Sequence, residues 1–340
     1  MGRETLEMSG IAVCVAGDLT DAAVLTLVLG RAVQGDAVAG GLLLQGVNAE
    51  ELARLAFYAG EGRSGRVQTA SGAIDVPIFG DHSGPRSDLW RIESHATARD
   101  VMALFGKKPA VDVQARRGQM AVRAAARVRA AALVPVKHRH AAALGDVVVA
   151  AVREPYARYF SVDEYDLRHR RFDGTLSPQI TRAAFISGDA VTVLPYDPVR
   201  DRVLLVEQFR AGPFARGDVQ PWQLEAIAGR IDVGETPQEA ARREAVEEAG
   251  LHLGALMAVA QYYPSPGICA EYLYSYVAIT DLADDAAGVF GVAGEAEDIR
   301  GHLLSFDAFM ALVASGEVAT APLILTAYWL AARRHALRGA

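Results

Sequence analysis

Short apolar runs separated by turn residues predict an α/β arrangement in the first third of the chain. Ile11–Val15 and residues 40–47 have the composition of strands. Further β-type segments are expected at 66–69 and 74–79. Helices are expected at 21–29, after Thr20 or Asp21 as the N-cap, and at 49–55, after Asn48.

The second half of the chain repeats this alternation. Residues 190–196 and 202–209 read as two strands joined by the turn at 197–201, and Trp222–Glu225 reads as a third short strand. A helical pattern follows. This order predicts a mixed sheet with a helix packed on it.

That helix has clear start and stop signals. Thr236 is a good N-cap, Pro237 suits the first helical position, and Glu239 completes a capping box. Gly250 supplies the C-terminal break. Alanine recurs every four residues, at 241, 245 and 249, and gives a small face that can pack on a sheet.

The opposite face of this helix is expected to carry three crowded carboxylates, Glu244, Glu247 and Glu248. Neighbouring like charges repel, so a helix selected only for stability would include lysines. One interpretation is a solvated acidic face. The other is a site for Mg²⁺ or Mn²⁺, which prefer hard oxygen ligands. The glycines before the helix favour this second interpretation, because they let backbone carbonyls approach a ligand, and Arg243 can hold Glu247 in place.

Composition limits the class of protein. The chain has 340 residues, 51% hydrophobic and 22% charged, which is enough for two packed domains. A net charge of −7 makes a general nucleic-acid surface an unfavoured interpretation. Cys14 and Cys269 form no disulfide framework or metal motif. No signal peptide is evident, residues 321–332 are too short to span a bilayer, and a cytoplasmic protein without a membrane contact is expected.

Residues 115–134 are rich in alanine and arginine and predict a helix. The arginines could form a phosphate- or RNA-binding patch. The alternative is a connecting helix with solvated arginines. His138 and His140 are expected at the surface, because no cysteine or carboxylate completes a metal-binding set. We expect this region to connect the two domains.

The residues from Gly229 to Leu251 resemble the complete Nudix box. Gly229, Glu235 and the run from Arg243 to Leu251 follow the pattern Gx5Ex7REUxEExGU. Only Ala245 departs from it, at a position usually held by a larger aliphatic residue. This resemblance implies a Nudix hydrolase with an α/β/α sandwich and a mixed sheet.

Residues 156–340 are also similar to the ADP-ribose pyrophosphatase branch of that family. The similarity includes Val206–Arg210 and the Ser265-Pro266-Gly267 turn, in which Pro266 follows Gly250 by 16 residues. Ala226-Ile227 departs from it, because a proline is usual there. The resemblance implies Mg²⁺-dependent cleavage of ADP-ribose to AMP and ribose 5-phosphate, with another nucleotide sugar such as GDP-mannose, or a non-catalytic ADP-ribose sensor, as alternatives. Retention of Glu235, Glu244, Glu247 and Glu248 favours an enzyme over a sensor.

The resemblance also implies roles for particular residues. The metal ligands would be the carbonyl of Ala228 with Glu244, Glu248 and Glu297, and Glu295 would orient or deprotonate the attacking water, although Glu295 and Glu297 could exchange roles. Glu247 and Arg243 complete the catalytic set. Substrate contacts are expected from Arg182 and Arg210, whose guanidinium groups suit phosphate; surface ion pairing is their alternative role. Ser265, Gly267 and Phe172 are further candidates, and Phe172 or Phe160 could stack on adenine or simply pack in the core. Similar proteins form homodimers through N-terminal strands, so a homodimer is expected.

Residues 10–105 resemble the gamma-glutamylcyclotransferase-like fold more weakly. The likeness lies in the opening strand and helix and in the stretch 52–60. Ala59 stands where that family has its catalytic glutamate, and Glu61 is a poor substitute. We therefore expect a degenerate α+β domain at 1–110, a helical connection at 111–155 and a Nudix domain at 156–340. This pairing resembles proteins labelled as tellurite-resistance proteins, a label that says little about chemistry.

Overall fold

The computed structural model of the protein describes residues 10–81, 87–132, 134–291 and 298–339. The chain divides into two compact units. The first is Met1–Leu144 with Tyr156–Phe160, and the second is Gly145–Pro155 with Ser161–Ala340. The domain boundaries expected from the sequence stay a prediction.

The first unit combines one sheet with packed helices. Its strands are β1 (Ile11–Val15), β2 (Asp36–Val38), β3 (Gly41–Val47), β4 (Arg63–Thr69) and β5 (Gly72–Phe79). Its helices are α1 (Ala22–Leu29), α2 (Ala49–Ala59), α3 (Asp88–Met102), α4 (Ala110–Ala115) and α5 (Arg117–Ala130), with a 3₁₀ turn at Gly17–Thr20. The strand order is β2-β3-β1-β5-β4, with β1 and β5 parallel. The relation to cyclotransferases stays a prediction.

The predicted caps of this unit are present. The Asp21 carboxylate accepts from the backbone N–H groups of Ala23 and Val24 at the start of α1. Asn48 and Glu51 form a capping box at the start of α2. These local signals therefore fixed where both helices begin.

The expectation of solvated arginines on a connecting helix is wrong for two arginines of α5. Arg129 is largely buried and pairs with the fully buried Glu93 of α3, with 3.1 Å between Nη1 and Oε1. Arg117 lies over the ring of Tyr58 at 4.5 Å and donates from Nη2 to Asp18 Oδ2 at 2.7 Å. These arginines join α5 to the rest of the first unit. Both side chains pack against the first unit and pair their charges with its carboxylates.

The second unit contains two sheets and four helices within the described residues. Its small sheet has the order β6-β7-β8, formed by β6 (Val147–Ala157), β7 (Ser161–His169) and β8 (Ile180–Ile186). The large sheet contains β9 (Ala190–Asp197), β10 (Arg202–Phe209), β11 (Trp222–Glu225), β12 (Ile227–Arg230), β13 (Leu256–Tyr262), β14 (Leu273–Ile279), β15 (Val289–Phe290) and β16 (Ile299–Ser305). The helices are α6 (Ala211–Arg216), α7 (Pro237–Ala249), α8 (Phe306–Ser315) and α9 (Ala321–Arg338).

The large sheet is mixed and is covered on both faces. Its main order is β13-β14-β9-β10-β16-β15, and β14 runs parallel to β9 while the other pairs are antiparallel. One face packs its apolar residues against the alanines of α7, and the other packs against α8 and α9. The predicted α/β/α sandwich with a mixed sheet is confirmed.

A wedge of two short strands opens one end of this sheet. β9 and β10 pair only next to their connecting turn, at Arg202–Asp197 and Val203–Tyr196. Further along, β11 pairs with β10 and β12 pairs with β9. The chain therefore enters between the two strands, turns at Ala226 and leaves along β12. This turn contains Ala226-Ile227, where the resembled family usually has a proline, and it forms without one.

Candidate metal and diphosphate site

Helix α7 presents its carboxylates to β12. Thr236 and Glu239 form the predicted capping box, and Gly250 ends the helix in the left-handed conformation. Glu244 is 9% exposed and Glu248 is 2% exposed. The expectation that they lie opposite the alanines is wrong for these two. Each precedes a buried alanine by one residue, about 100° around the helix, and so lies at the edge of the buried face.

The backbone of β12 is shaped around these two carboxylates. Glu248 Oε2 accepts a hydrogen bond from Ala228 N–H at 3.0 Å. A Cβ atom at Gly229 would lie 1.8 Å from Glu244 Oε1, far inside any allowed contact. Glycine is therefore required at 229, because the Glu244 carboxylate occupies the space that a side chain would fill.

Arg243 connects four acceptors at the rim of this site. It donates to Glu235 from Nε (2.8 Å) and Nη2 (3.0 Å), and from Nη1 to Glu244 (2.8 Å) and Glu247 (2.9 Å). Nη2 also donates to the carbonyl of Arg230 at 2.9 Å. The hydrogen bond with Glu235 is the largest cause that raises the pKa of Arg243. One guanidinium thus offsets the repulsion among three carboxylates and ties α7 to the chain before it.

Arg210, directly after β10, and Glu225 of β11 form an ion pair. Arg210 Nε donates to Glu225 Oε2 at 2.6 Å. Burial is the largest influence on Glu225 and raises its pKa, and the positive charge of Arg210 opposes that effect. The ion pairing that was the alternative role for Arg210 is present. Because the guanidinium group is planar, this ion pair also fixes the direction of the nitrogens that do not contact Glu225.

The donor set fits a hard divalent cation. Across the described ranges, no three His, Cys, Asp or Glu side chains are grouped in a way that could hold a metal ion. Two buried carboxylates, Glu244 and Glu248, nevertheless face a strand without a side chain at Gly229. Carboxylate and backbone oxygens are the ligands that Mg²⁺ and Mn²⁺ prefer.

The remaining predicted residues have varied positions. Arg182 is exposed on β8 and donates from Nη1 to the carbonyl of Thr181 at 2.9 Å. Phe172 is fully exposed in the turn after β7. The Ser265 carbonyl accepts from Ile268 and Cys269, which closes the turn containing Gly267. These contacts are local, and the acidic cluster is built from other residues. Glu295 and Glu297 lie outside the described residues.

Two polar residues near this site, Glu225 and Gln208, were not singled out by the sequence, although both lie in apolar strands. Glu235, which the Nudix-box resemblance includes, is the main partner of Arg243. The alternation of β10 offers one signal, because Leu204, Val206 and Gln208 share a side and the first two are buried. A polar residue at a buried position of a strand is unusual, so it identifies a candidate functional residue.

The fold and site define an α/β domain that holds carboxylates for a divalent cation. The model of the NUDIX domain matches residues 187–323. This chain belongs to the Nudix family, whose members generally use a divalent metal ion.

Three relatives indicate the range of that similarity. The ADP-ribose pyrophosphatase of Escherichia coli strain K12 is 39% identical over 193 residues, which cover 57% of this chain and 91% of the relative. The ADP-ribose pyrophosphatase of Haemophilus influenzae is 32% identical over 187 residues, covering 54% and 86%. A GDP-mannose pyrophosphatase of Salmonella paratyphi B is 30% identical over 149 residues, covering 44% and 76%.

Proposed function

We propose that this chain is a metal-dependent pyrophosphohydrolase that cleaves ADP-ribose to AMP and ribose 5-phosphate. The observation that carries the proposal is the seating of Glu244 against Gly229 beside Glu248 and Ala228. The relative from Escherichia coli named ADP-ribose pyrophosphatase supports the choice of substrate, because the similarity spans 91% of its length.

Each residue of the site has a distinct task in this proposal. Glu244, Glu248 and the carbonyl of Ala228 would hold Mg²⁺ or Mn²⁺, with Glu297 as a further ligand. The bound metal would make water acidic enough to attack phosphorus and would offset phosphate charge. Arg243 positions Glu235, Glu244 and Glu247 by the hydrogen bonds described above.

Proton transfer and substrate contacts complete the proposal. Glu295 or Glu297 accepts the proton of the attacking water. Arg210 binds a phosphate group, because its guanidinium is held by Glu225 and fits phosphate geometry. Arg182, Phe172, Ser265 and Gly267 contact the remainder of the nucleotide sugar.

To test the proposal, a set of nucleotide diphosphate sugars is incubated with Mg²⁺ and either the parent or Glu248→Gln. The phosphate monoesters released are then measured. We expect AMP from ADP-ribose in the parent and a loss of at least about 100-fold in the variant, since a metal ligand is removed. Glu239→Gln is the matched control on the same helix, because glutamine also completes a capping box. Equal rates for the parent and Glu248→Gln would exclude the assignment of Glu248.

The same experiment tests two alternatives to ADP-ribose hydrolysis. The similarity to a GDP-mannose pyrophosphatase supports GDP-mannose as a second substrate. Preferred release of mannose 1-phosphate and GMP would select that alternative. A sensor that binds ADP-ribose without cutting it would give ligand binding but no product in any arm of the screen.

We also propose that the protein forms a homodimer through its small sheet. β6 is an edge strand, and Val147, Val148, Val149 and Val152 expose large fractions of their side chains. An apolar edge strand favours pairing with another chain. Analytical ultracentrifugation at micromolar concentration tests this, and a monomer alone would contradict it.

Among the described residues, no helix has both the length and the apolar character needed to cross a membrane.

A further inference from the structure

Gln208 is a buried polar residue on the inward side of β10. Its side chain is 8% exposed, and its Nε2 has no hydrogen-bond partner within the described structure. Leu204 and Val206, on the same side of the strand, pack in one cluster with Ala241 and Ala245 of α7. Gln208 therefore faces the layer that contains the acidic helix. A buried donor without a partner costs about 1 to 3 kcal/mol, so its retention requires an explanation.

The strand register places Gln208 level with the metal ligands. Val203 of β10 pairs with Tyr196 of β9, and five residues further from the turn these strands reach Gln208 and Val191. Val191 pairs with Gly229. Gly229 lies on the wedge strand β12, and the other wedge strand, β11, pairs with β10, so two strand spacings, on the order of 10 Å, lie between Gln208 and Gly229. A diphosphate bound at Glu244 and Glu248 would extend over this interval.

The neighbours of Gln208 already have their own partners. Gln223 lies opposite it on β11 and donates from Nε2 to the carbonyls of Gln220 and Trp222. Glu225 accepts from Arg210. On the other side, β16 places the apolar Ile299 next in register, because Glu207 pairs with Arg300. The amide nitrogen of Gln208 is itself buried, so a partner would have to reach it from the α7 side of the sheet, the side on which Glu244 and Glu248 lie.

We propose that Gln208 Nε2 donates a hydrogen bond to a nonbridging phosphate oxygen of the diphosphate substrate. This inference rests on the proposed function and adds a neutral donor to the charged Arg210. Nonbridging oxygens carry negative charge in the ground state and in the transition state. A contact with them is therefore made in both states and acts on KM more than on kcat.

Two isosteric variants test the inference, with one control. Gln208→Met removes the amide, and Gln208→Glu replaces the donor with an anion. Gln223→Met is the control, because the Gln223 amide already has acceptors. For each protein we would measure kcat and KM for ADP-ribose, the thermal midpoint without metal or ligand, and the rise in that midpoint on adding Mg²⁺ with inorganic pyrophosphate.

The expected pattern separates substrate binding from a structural role. Gln208→Met should raise KM about 10- to 100-fold with little change in kcat, because a hydrogen bond to a charged group is lost. Without ligand, its midpoint should rise by about 2 to 6 °C, because an unpaired buried donor is removed. Gln208→Glu should raise KM further. Gln223→Met should lower the midpoint and leave KM near the parent value.

Three outcomes would overturn the inference: an unchanged KM in Gln208→Met, a lower midpoint in that variant, or equal stabilisation of parent and variant by pyrophosphate. The proposed function can fail separately. If the parent cleaves no ADP-ribose but pyrophosphate stabilises it more than Gln208→Met, the donor role stands and the substrate assignment falls. If pyrophosphate stabilises neither protein, the donor role is wrong.

Discussion

Arg243 holds Glu235 with two parallel hydrogen bonds, from Nε to Oε1 at 2.8 Å and from Nη2 to Oε2 at 3.0 Å. This fork joins the turn before α7 to the second turn of the helix. The remaining guanidinium nitrogen reaches Glu244 and Glu247. The geometry needs a planar group with donors in fixed directions, which lysine does not have.

Arg243→Lys should destabilise the protein and weaken hydrolysis. The single ammonium cannot satisfy Glu235, Glu244 and Glu247 together, so their repulsion would increase. We expect a loss of about 1 to 3 kcal/mol in the free energy of unfolding, less than for a fully buried pair because Arg243 is 28% exposed. Urea unfolding of both proteins measures it. An unchanged midpoint would show that the guanidinium fork contributes nothing to stability.

Gly229→Ala should damage the metal site more than the fold. The added Cβ would collide with the Glu244 carboxylate and force it away from β12. We expect hydrolysis to fall by at least about 100-fold, as for loss of a ligand. Gly212→Ala is the control, because a Cβ there meets no atom within 4 Å. Isothermal titration with Mn²⁺ provides a second measurement, and unaltered Mn²⁺ affinity in Gly229→Ala would contradict the prediction.

Asp201 anchors the C-terminal helix and gives a pH-dependent contribution to stability. It accepts from Tyr196, Arg334 and Arg338, and the hydrogen bonds from Arg334 are the main cause that lowers its pKa. Because the folded-state pKa is depressed, this stability is present above the unfolded value near 3.9 and is lost as pH falls through the folded pKa.

Asp201→Asn should therefore cost about 1 to 3 kcal/mol at pH 7. Asparagine tolerates the left-handed backbone at this position, where φ is 56°, so the change tests charge and not backbone strain. The difference in unfolding free energy between parent and variant should shrink as the pH is lowered below about 4. A difference that stays constant from pH 7 to pH 3 would mean that the Asp201 charge is not responsible.

Hydrolysis should survive removal of the first unit. The candidate metal site uses residues of the second unit alone. A cut near residue 150 would remove the first residues of β6, so the shortened chain should begin at Gly145. We expect its kcat/KM for ADP-ribose to stay within about tenfold of the full chain, measured at equal concentrations. A complete loss in a folded fragment would show that the first unit contributes to the site.

The sequence predicted best those features whose signals are local. The start and end of α7 follow from Thr236, Glu239 and Gly250, which lie next to the backbone groups that they satisfy. The pairing of Arg243 with Glu247 follows from a spacing of four residues. The β9–β10 hairpin was predicted because its turn residues adjoin its strands.

Features that depend on distant residues were not predicted. The partners of Arg117 and Arg129 lie on other elements of the first unit, so the spacing of arginines gave no indication of their burial. The seating of Glu244 depends on β12, whose return at Ala226 requires the separated strands β9 and β10. The strand β6 was interpreted as a connection, because its pairing with β7 is not visible in its own residues.

The acceptors of Arg243 all lie between Arg230 and Glu247 in the chain. Bringing them together closes only short loops, which costs little chain entropy. This charge cluster can therefore form early in folding, because it requires no contacts with residues far away in the chain. The hydrogen bonds of this cluster involve no residue of the first unit, so the cluster can form whether or not that unit is folded.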